Sequence, residues 1–94
     1  MPLSSNQVKK ELEKLPVEWV IIGSTNLVKV FEFKNYRSTV GFVVLVVELA
    51  EKADHHPEVR LSWGKAEVSL TTHGESGLTQ KDFELAKSIE AIEL

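Results

Sequence analysis

The chain contains three histidines: His55 and His56 are adjacent, and His73 follows seventeen residues after His56. Four carboxylates flank them: Glu51, Asp54, Glu58 and Asp82. An imidazole with a pKa near about 6.5 both gives and takes protons at neutral pH. Two adjacent rings resist double protonation and titrate as a coupled pair. Glu51 lies four residues before His55, on the same face if a helix persists that far. A carboxylate that accepts a ring N–H fixes the tautomer and raises the basicity of the other nitrogen. A lone histidine is ordinarily a surface or satisfied residue. Three beside a cluster of acids argue for a site of general acid/base chemistry. Imidazole and carboxylate also ligate zinc, but adjacent histidines rarely aim both rings at one ion, and no H-x-H or H-x-x-x-H spacing occurs. No metal is therefore expected. There is no Gly-x-Ser-x-Gly elbow, and Gly74 and Gly77 match no phosphate loop.

These residues must be positioned by the elements around them. Ser4 to Leu15 reads as a short helix, with Ser4 or Ser5 as cap, Val8, Leu12 and Leu15 as its apolar stripe, and Pro16 as its stop. Val17 to Ile22 and Leu27 to Phe33 read as strands around the turn formers Gly23-Ser24-Thr25-Asn26, a hairpin. Tyr36 to Ala53 is ambiguous. Its five valines favour a strand, but eighteen residues without a turn signal favour a helix. A helix is expected. Being apolar nearly all round, it must bury more than one face, and in so small a chain a second copy is the expected cover for the other. Val59 to Trp63 and Ala66 to Leu70 form a second hairpin around Gly64-Lys65. Thr79-Gln80-Lys81-Asp82 has capping-box spacing and opens a last helix that runs to the end.

The order α-β-β-α-β-β-α implies an α+β fold: a four-stranded antiparallel sheet with helices packed on one face. Pro57 ends the long helix at the histidine pair. The intervening hairpin starts and ends at one edge of the sheet, so topology alone brings His55, His56 and His73 into one neighbourhood. Trp19 and Trp63 read as core or interface residues.

The 94 residues suit a single domain, 1–94, with a composition 43% hydrophobic and 27% charged. The net charge of −3 gives no electrostatic support for nucleic-acid binding. No run approaches a membrane span, and the polar first residues do not resemble a signal peptide. The absence of cysteine excludes disulfides and a thiolate site, and fits a cytoplasmic protein.

Glu48-Leu49-Ala50-Glu51-Lys52-Ala53-Asp54-His55-His56-Pro57-Glu58, then Leu70-Thr71-Thr72-His73, then Gly77-Leu78-Thr79-Gln80-Lys81-Asp82 resemble the pterin-4a-carbinolamine dehydratase family. That family carries an E-K-x-x-H-H-P-E block, a strand ending in T-H, and G-L-T-x-x-D before the last helix. The match is specific from about Phe31 to Ile92. Over the first thirty residues mainly Trp19 and the Phe31-x-Phe33 pair fit. The resemblance implies dehydration of a 4a-hydroxytetrahydropterin to the quinonoid dihydropterin, which recycles the cofactor of aromatic amino acid hydroxylation. The C4a hydroxyl leaves as water after protonation, N5 forms the C=N bond, and a base takes a ring proton; no metal or organic cofactor is needed.

By the same resemblance His55 and His73 carry the proton transfers, and His56 chiefly positions the pterin while able to share the acid role. Asp82 takes the family's acidic position, and Glu51 orients the histidine pair. Asp54, Pro57, Glu58 and Thr72 belong to the substrate-binding motifs. Lys81 stands where some relatives have Arg, and Trp63 on a commonly aromatic position that could wall the site. The loop Gly74-Glu75-Ser76 departs from the commoner Asp-containing version. The resemblance further implies a homodimer or homotetramer through the Tyr36–Ala53 helix, and an aromatic amino acid hydroxylase in the same pathway. Two other roles are known among such proteins or scaffolds. One is a dimerisation cofactor for a homeodomain transcription factor, and the other a pterin-binding protein of another pathway such as molybdopterin metabolism.

Overall fold

The computed structural model describes residues 2–93. Its elements are α1 (Ser5–Glu13), β1 (Val20–Ile22), β2 (Asn26–Glu32), α2 (Tyr36–Ala53), β3 (Glu58–Ser62), β4 (Lys65–Leu70) and α3 (Gln80–Glu90). The four strands form one antiparallel sheet in the order β1-β2-β4-β3. The order of elements and the sheet are those the sequence implies. No helix is long and apolar enough to cross a membrane among the described residues.

Strand register sorts the side chains into two faces. Leu27 lies opposite Leu70, Lys29 opposite Val68, and Phe31 opposite Ala66, so these share the face that meets the helices. Leu27, Ala66, Val68 and Leu70 are buried there with Phe42 and Val46 of α2 and Phe83, Ala86 and Ile89 of α3. Each fully buried large apolar side chain contributes about 1.5–3 kcal/mol. The aromatic rings of Phe31 and Phe33 both pack on Phe42, with centroids 4.6 and 5.0 Å apart.

The helix termini follow their caps. The Ser4 hydroxyl accepts from the Gln7 N–H and the Gln7 amide returns the bond to the Ser4 N–H. Asn35 caps α2 by accepting from the Ser38 N–H. Burial then overrides the β propensity of the valines: Thr39, Phe42, Val46 and Ala50 form the inward stripe. The buried Thr39 hydroxyl donates to the Asn35 carbonyl. On the outward side Tyr36, Val40, Val44 and Val47 remain 36–53% exposed.

Several boundaries differ from the sequence reading. β1 covers only Val20–Ile22, because residues 17–18 turn and the Trp19 N–H bonds the Pro16 carbonyl. That turn carries Trp19 into the core, where its indole N–H donates to Glu90. The same carboxylate receives Lys29, which reaches it from the helix-facing side of β2. β2 runs from Asn26 to Glu32 rather than Leu27 to Phe33, and β3 from Glu58 to Ser62 rather than Val59 to Trp63. The second hairpin turns at Trp63-Gly64, with Gly64 at a φ of 73°. A Cβ there would stand 3.0 Å from the Phe33 carbonyl, so glycine is required on both counts. α1 ends at Glu13, and α3 stops at Glu90 instead of running to the end.

Candidate functional site

The site begins where α2 stops. Asp54 adopts left-handed backbone angles (φ 50°), so the chain leaves the helix axis one residue before the histidines. The Asp54 N–H bonds the Glu51 carbonyl and the His55 N–H bonds the Ala50 carbonyl, the paired closure of a Schellman motif. This termination turns His55 inward and leaves His56 outside. His55 is 8% exposed and His56 is exposed.

His55 Nε2 lies 2.7 Å from Oδ1 of Asp82, a fully buried carboxylate in the first turn of α3. The other oxygen, Oδ2, accepts from the Thr72 hydroxyl at 2.8 Å and from the Thr79 backbone N–H at 3.0 Å. The last bond is half of the expected capping box, so Asp82 both starts α3 and meets His55. Thr72 has spent its one proton on Asp82, so at 2.8 Å the Thr79 hydroxyl donates to it.

With two donors already on Oδ2, Asp82 suits the neutral tautomer in which His55 Nε2 donates to Oδ1. Nδ1 is then the nitrogen free to accept. It makes no hydrogen bond, yet no fully buried side-chain nitrogen or oxygen among the described residues lacks a partner. Nδ1 therefore reaches the surface.

Glu51 pairs with His56 and not His55: the Nε2–Oε2 distance is 2.8 Å, on the exterior. The helical register that would set Glu51 beside His55 is broken by the left-handed turn at Asp54. His73 directly follows Thr72, at the corner of a turn closed by the Glu75 N–H on the Thr72 carbonyl. Gly74, at a φ of 85°, takes the turn position that requires glycine. His73 is exposed and bonds no described residue. The far end of its loop is tied down by the Leu3 N–H on the Leu78 carbonyl.

The remaining expected residues divide. Pro57 is half-buried and leads into β3, whereas Glu58 faces the open side of the sheet opposite Ser69. Lys81 lines a cleft of about 460 Å³ between α2 and α3, as does His55. Trp63 is not brought to the cluster: it is 69% exposed at the other end of β3, roughly 17 Å along an extended strand from Glu58. Among the described residues no group of three histidine, aspartate or glutamate side chains converges as metal ligands would.

The cleft adds residues that sequence reasoning did not single out: Lys52, Gln80, Glu84 and Ser88 around the apolar Leu49 and Leu85. The Gln80 amide and then Lys87 hold the Glu84 carboxyl below the usual carboxylate range. Lys52 is the lysine of the E-K-x-x-H-H-P-E block, but no short motif marks Glu84 or Ser88, since the cleft exists only once α2 and α3 pack. Their spacing on α3, with Gln80, Glu84 and Ser88 four apart, would have marked one common face. A second depression, on the open face of the sheet by Val30, Arg60 and Glu67, contains no histidine.

The sequence model for pterin 4 alpha carbinolamine dehydratase matches residues 1–92. A protein of Alkaliphilus metalliredigens named "Putative pterin-4-alpha-carbinolamine dehydratase" is 38% identical over 89 residues, spanning 95% of this chain and 80% of that one. One of the same name from Sulfolobus acidocaldarius is 38% identical over 93 residues, spanning 99% of this chain and 100% of that one. The crystal structure of a transcriptional coactivator/pterin dehydratase from Brucella melitensis superposes with a TM-score of 0.89 at 30% identity, covering 97% of each chain. A pterin dehydratase-like RuBisCO assembly factor of the alpha-carboxysome shares the fold, with a TM-score of 0.67 at 21% identity over 79% of this chain and 87% of that one.

Proposed function

Because the chain belongs to the pterin 4 alpha carbinolamine dehydratase family, we propose that it dehydrates a 4a-hydroxytetrahydropterin by histidine acid/base chemistry. The observation that carries the reading is the buried Asp82–His55 pair, with its free Nδ1 on a histidine that lines a cleft large enough for a bicyclic ring. One proton must reach the C4a hydroxyl so that water can leave, and one must leave the ring nitrogen as the C4a=N5 bond forms. His55 Nδ1 and His73 perform these transfers, each worth about 10²–10⁴-fold when positioned. Asp82, held by Thr72 and Thr79, keeps the His55 tautomer. His56, steadied by Glu51, contacts the pterin from the exposed side.

The protein works as a homo-oligomer in the cytoplasm, with the outward valines of α2 against a second copy. A hydroxylase of aromatic amino acids supplies the carbinolamine.

Stopped-flow absorbance of freshly generated 4a-hydroxytetrahydropterin tests the chemistry. Decay is expected to be faster with the protein, and His55→Ala and His73→Ala each to remove most of the acceleration. Decay at the spontaneous rate with the intact protein overturns the proposal and points to a binding role.

A further inference from the structure

The cleft beside His55 has an uneven charge. One lysine reaches it from each wall, Lys52 from the last turn of α2 and Lys81 from the first turn of α3. Neither ammonium has a hydrogen bond or ion pair with any described residue. Lys14, Lys29 and Lys87 are each engaged by a glutamate; Lys9, Lys10, Lys34 and Lys65 are also unpaired among the described residues, but none of these lines the cleft. The acid on the same rim, Glu84, already accepts from Gln80 at 2.9 Å and meets Lys87 at 3.4 Å. The groove continues along α2 away from His55, where Glu48 and Glu93 join Lys52 on its walls. The balance of lining charge is thus positive at the His55 end, where Lys52 and Lys81 outnumber Glu84, and negative beyond it, in a chain whose net charge is −3.

Two uncompensated ammonium groups on facing walls of one concavity raise the local concentration of anions and favour a ligand with a negative group between them. Lysine suits this task as a mobile point charge that asks for no planar geometry. The apolar floor, Leu49 and Leu85, suits the flat part of a ring system. Resting on the reading of this cleft as the pterin site, we infer that Lys52 and Lys81 hold an anionic substituent, a carboxylate or a phosphate, on the pterin side chain. The ring then lies toward His55, and the preferred substrates are pterins with a negatively charged tail. Two partly exposed charge contacts amount to a preference of roughly tenfold over a neutral analogue at low salt.

Fluorescence titration of the full chain with 6-carboxypterin, a 6-hydroxymethylpterin phosphate ester and neutral 6-hydroxymethylpterin tests this at low and high salt. The anionic pterins are expected to bind about tenfold tighter at low salt, with the gap closing as salt rises. The order of the carboxylate and the phosphate tells which tail the site takes. The ratio of anionic to neutral affinity should fall toward one in the Lys52→Gln, Lys81→Gln double variant and persist with Arg at both positions. Equal affinities, or a preference that survives loss of both lysines, overturn the subsite. Acceleration of dehydration without any preference among charged and neutral substrates overturns it too, while leaving the dehydratase reading standing. Failure of all three pterins to bind overturns the pterin reading of the cleft and the subsite with it.

Discussion

Replacing Asp82 by Asn separates orientation from charge at the buried pair. An asparagine can still accept the Thr79 N–H through its carbonyl, which turns its amide N–H₂ toward His55. Nε2 must then become the acceptor and Nδ1 the donor, the opposite of the present arrangement. The expected result for Asp82→Asn is a folded protein whose dehydration rate falls by about 10²–10⁴-fold. Nitrogen NMR of the imidazole should show the inverted tautomer, and an unchanged tautomer or full activity would count against the assigned role. At this scale the sequence was informative about which residues meet but not about how. Asp82 could be named both as a cap and as an acid beside the histidines; the capping bond is present, and the same carboxylate meets His55. Glu51 was expected to orient the histidine pair, beside His55 if the helix persisted; it meets His56, because the left-handed turn at Asp54, which nothing in the Lys52-Ala53-Asp54 spelling requires, ends the helix first. Trp63 was grouped with the site because it falls on a commonly aromatic position of the resembled family; within this chain it stands just beyond the far end of β3 from the histidines.

Between elements, the seam of α1 and α3 is polar. Glu11 of α1 meets Lys14, Gln80 and Lys87, and its carboxyl is held down to about 2, first by the Lys14 hydrogen bond and then by that of Gln80. A carboxylate whose folded pKa is depressed contributes its stability above the unfolded value and loses it as the pH falls through the folded one. The pair of chains Glu11 and Glu11→Gln should therefore differ by about 0.5–1 kcal/mol in urea unfolding at neutral pH. The difference should shrink between pH 4.5 and about 2, and vanish below that. A gap independent of pH would assign the loss to packing instead. The bounds of α2 were legible to the residue, since length and the absence of a turn signal outweigh valine propensity over eighteen positions. β1 was over-read, because the short Pro16–Trp19 turn is decided by the place of the indole in the core, a tertiary fact.

The whole molecule presents one helix face without a cover. Tyr36, Val40, Val44 and Val47 stand in the row that the inward stripe leaves outside. Such a row is costly to leave in water and fits a second copy of itself. Sedimentation at micromolar concentration should give an oligomer for the natural chain and a smaller species for Val44→Glu, with helix content retained. A natural chain that sediments as a monomer removes the self-association. Sequence could anticipate that a second face of α2 needed burial, since its apolar residues run nearly all round. The groove between α2 and α3 could not be anticipated in that way, because it is a property of two helices and of neither alone.

The carboxylate of Asp82 joins the exit of α2, the end of β4 and the first turn of α3 through His55, Thr72 and Thr79. A single side chain is thus both a fastening of the fold and the group that holds the ring of His55 in place. A descendant of such a chain that ceased to turn over pterins would still unfasten three elements by discarding it. The histidine and its aspartate can therefore outlast any reaction, and their presence testifies first to architecture. Groups that fasten nothing among the described residues, such as His73 and, beside the cleft, Lys52 and Lys81, are the ones whose substitution can test function without loosening the fold.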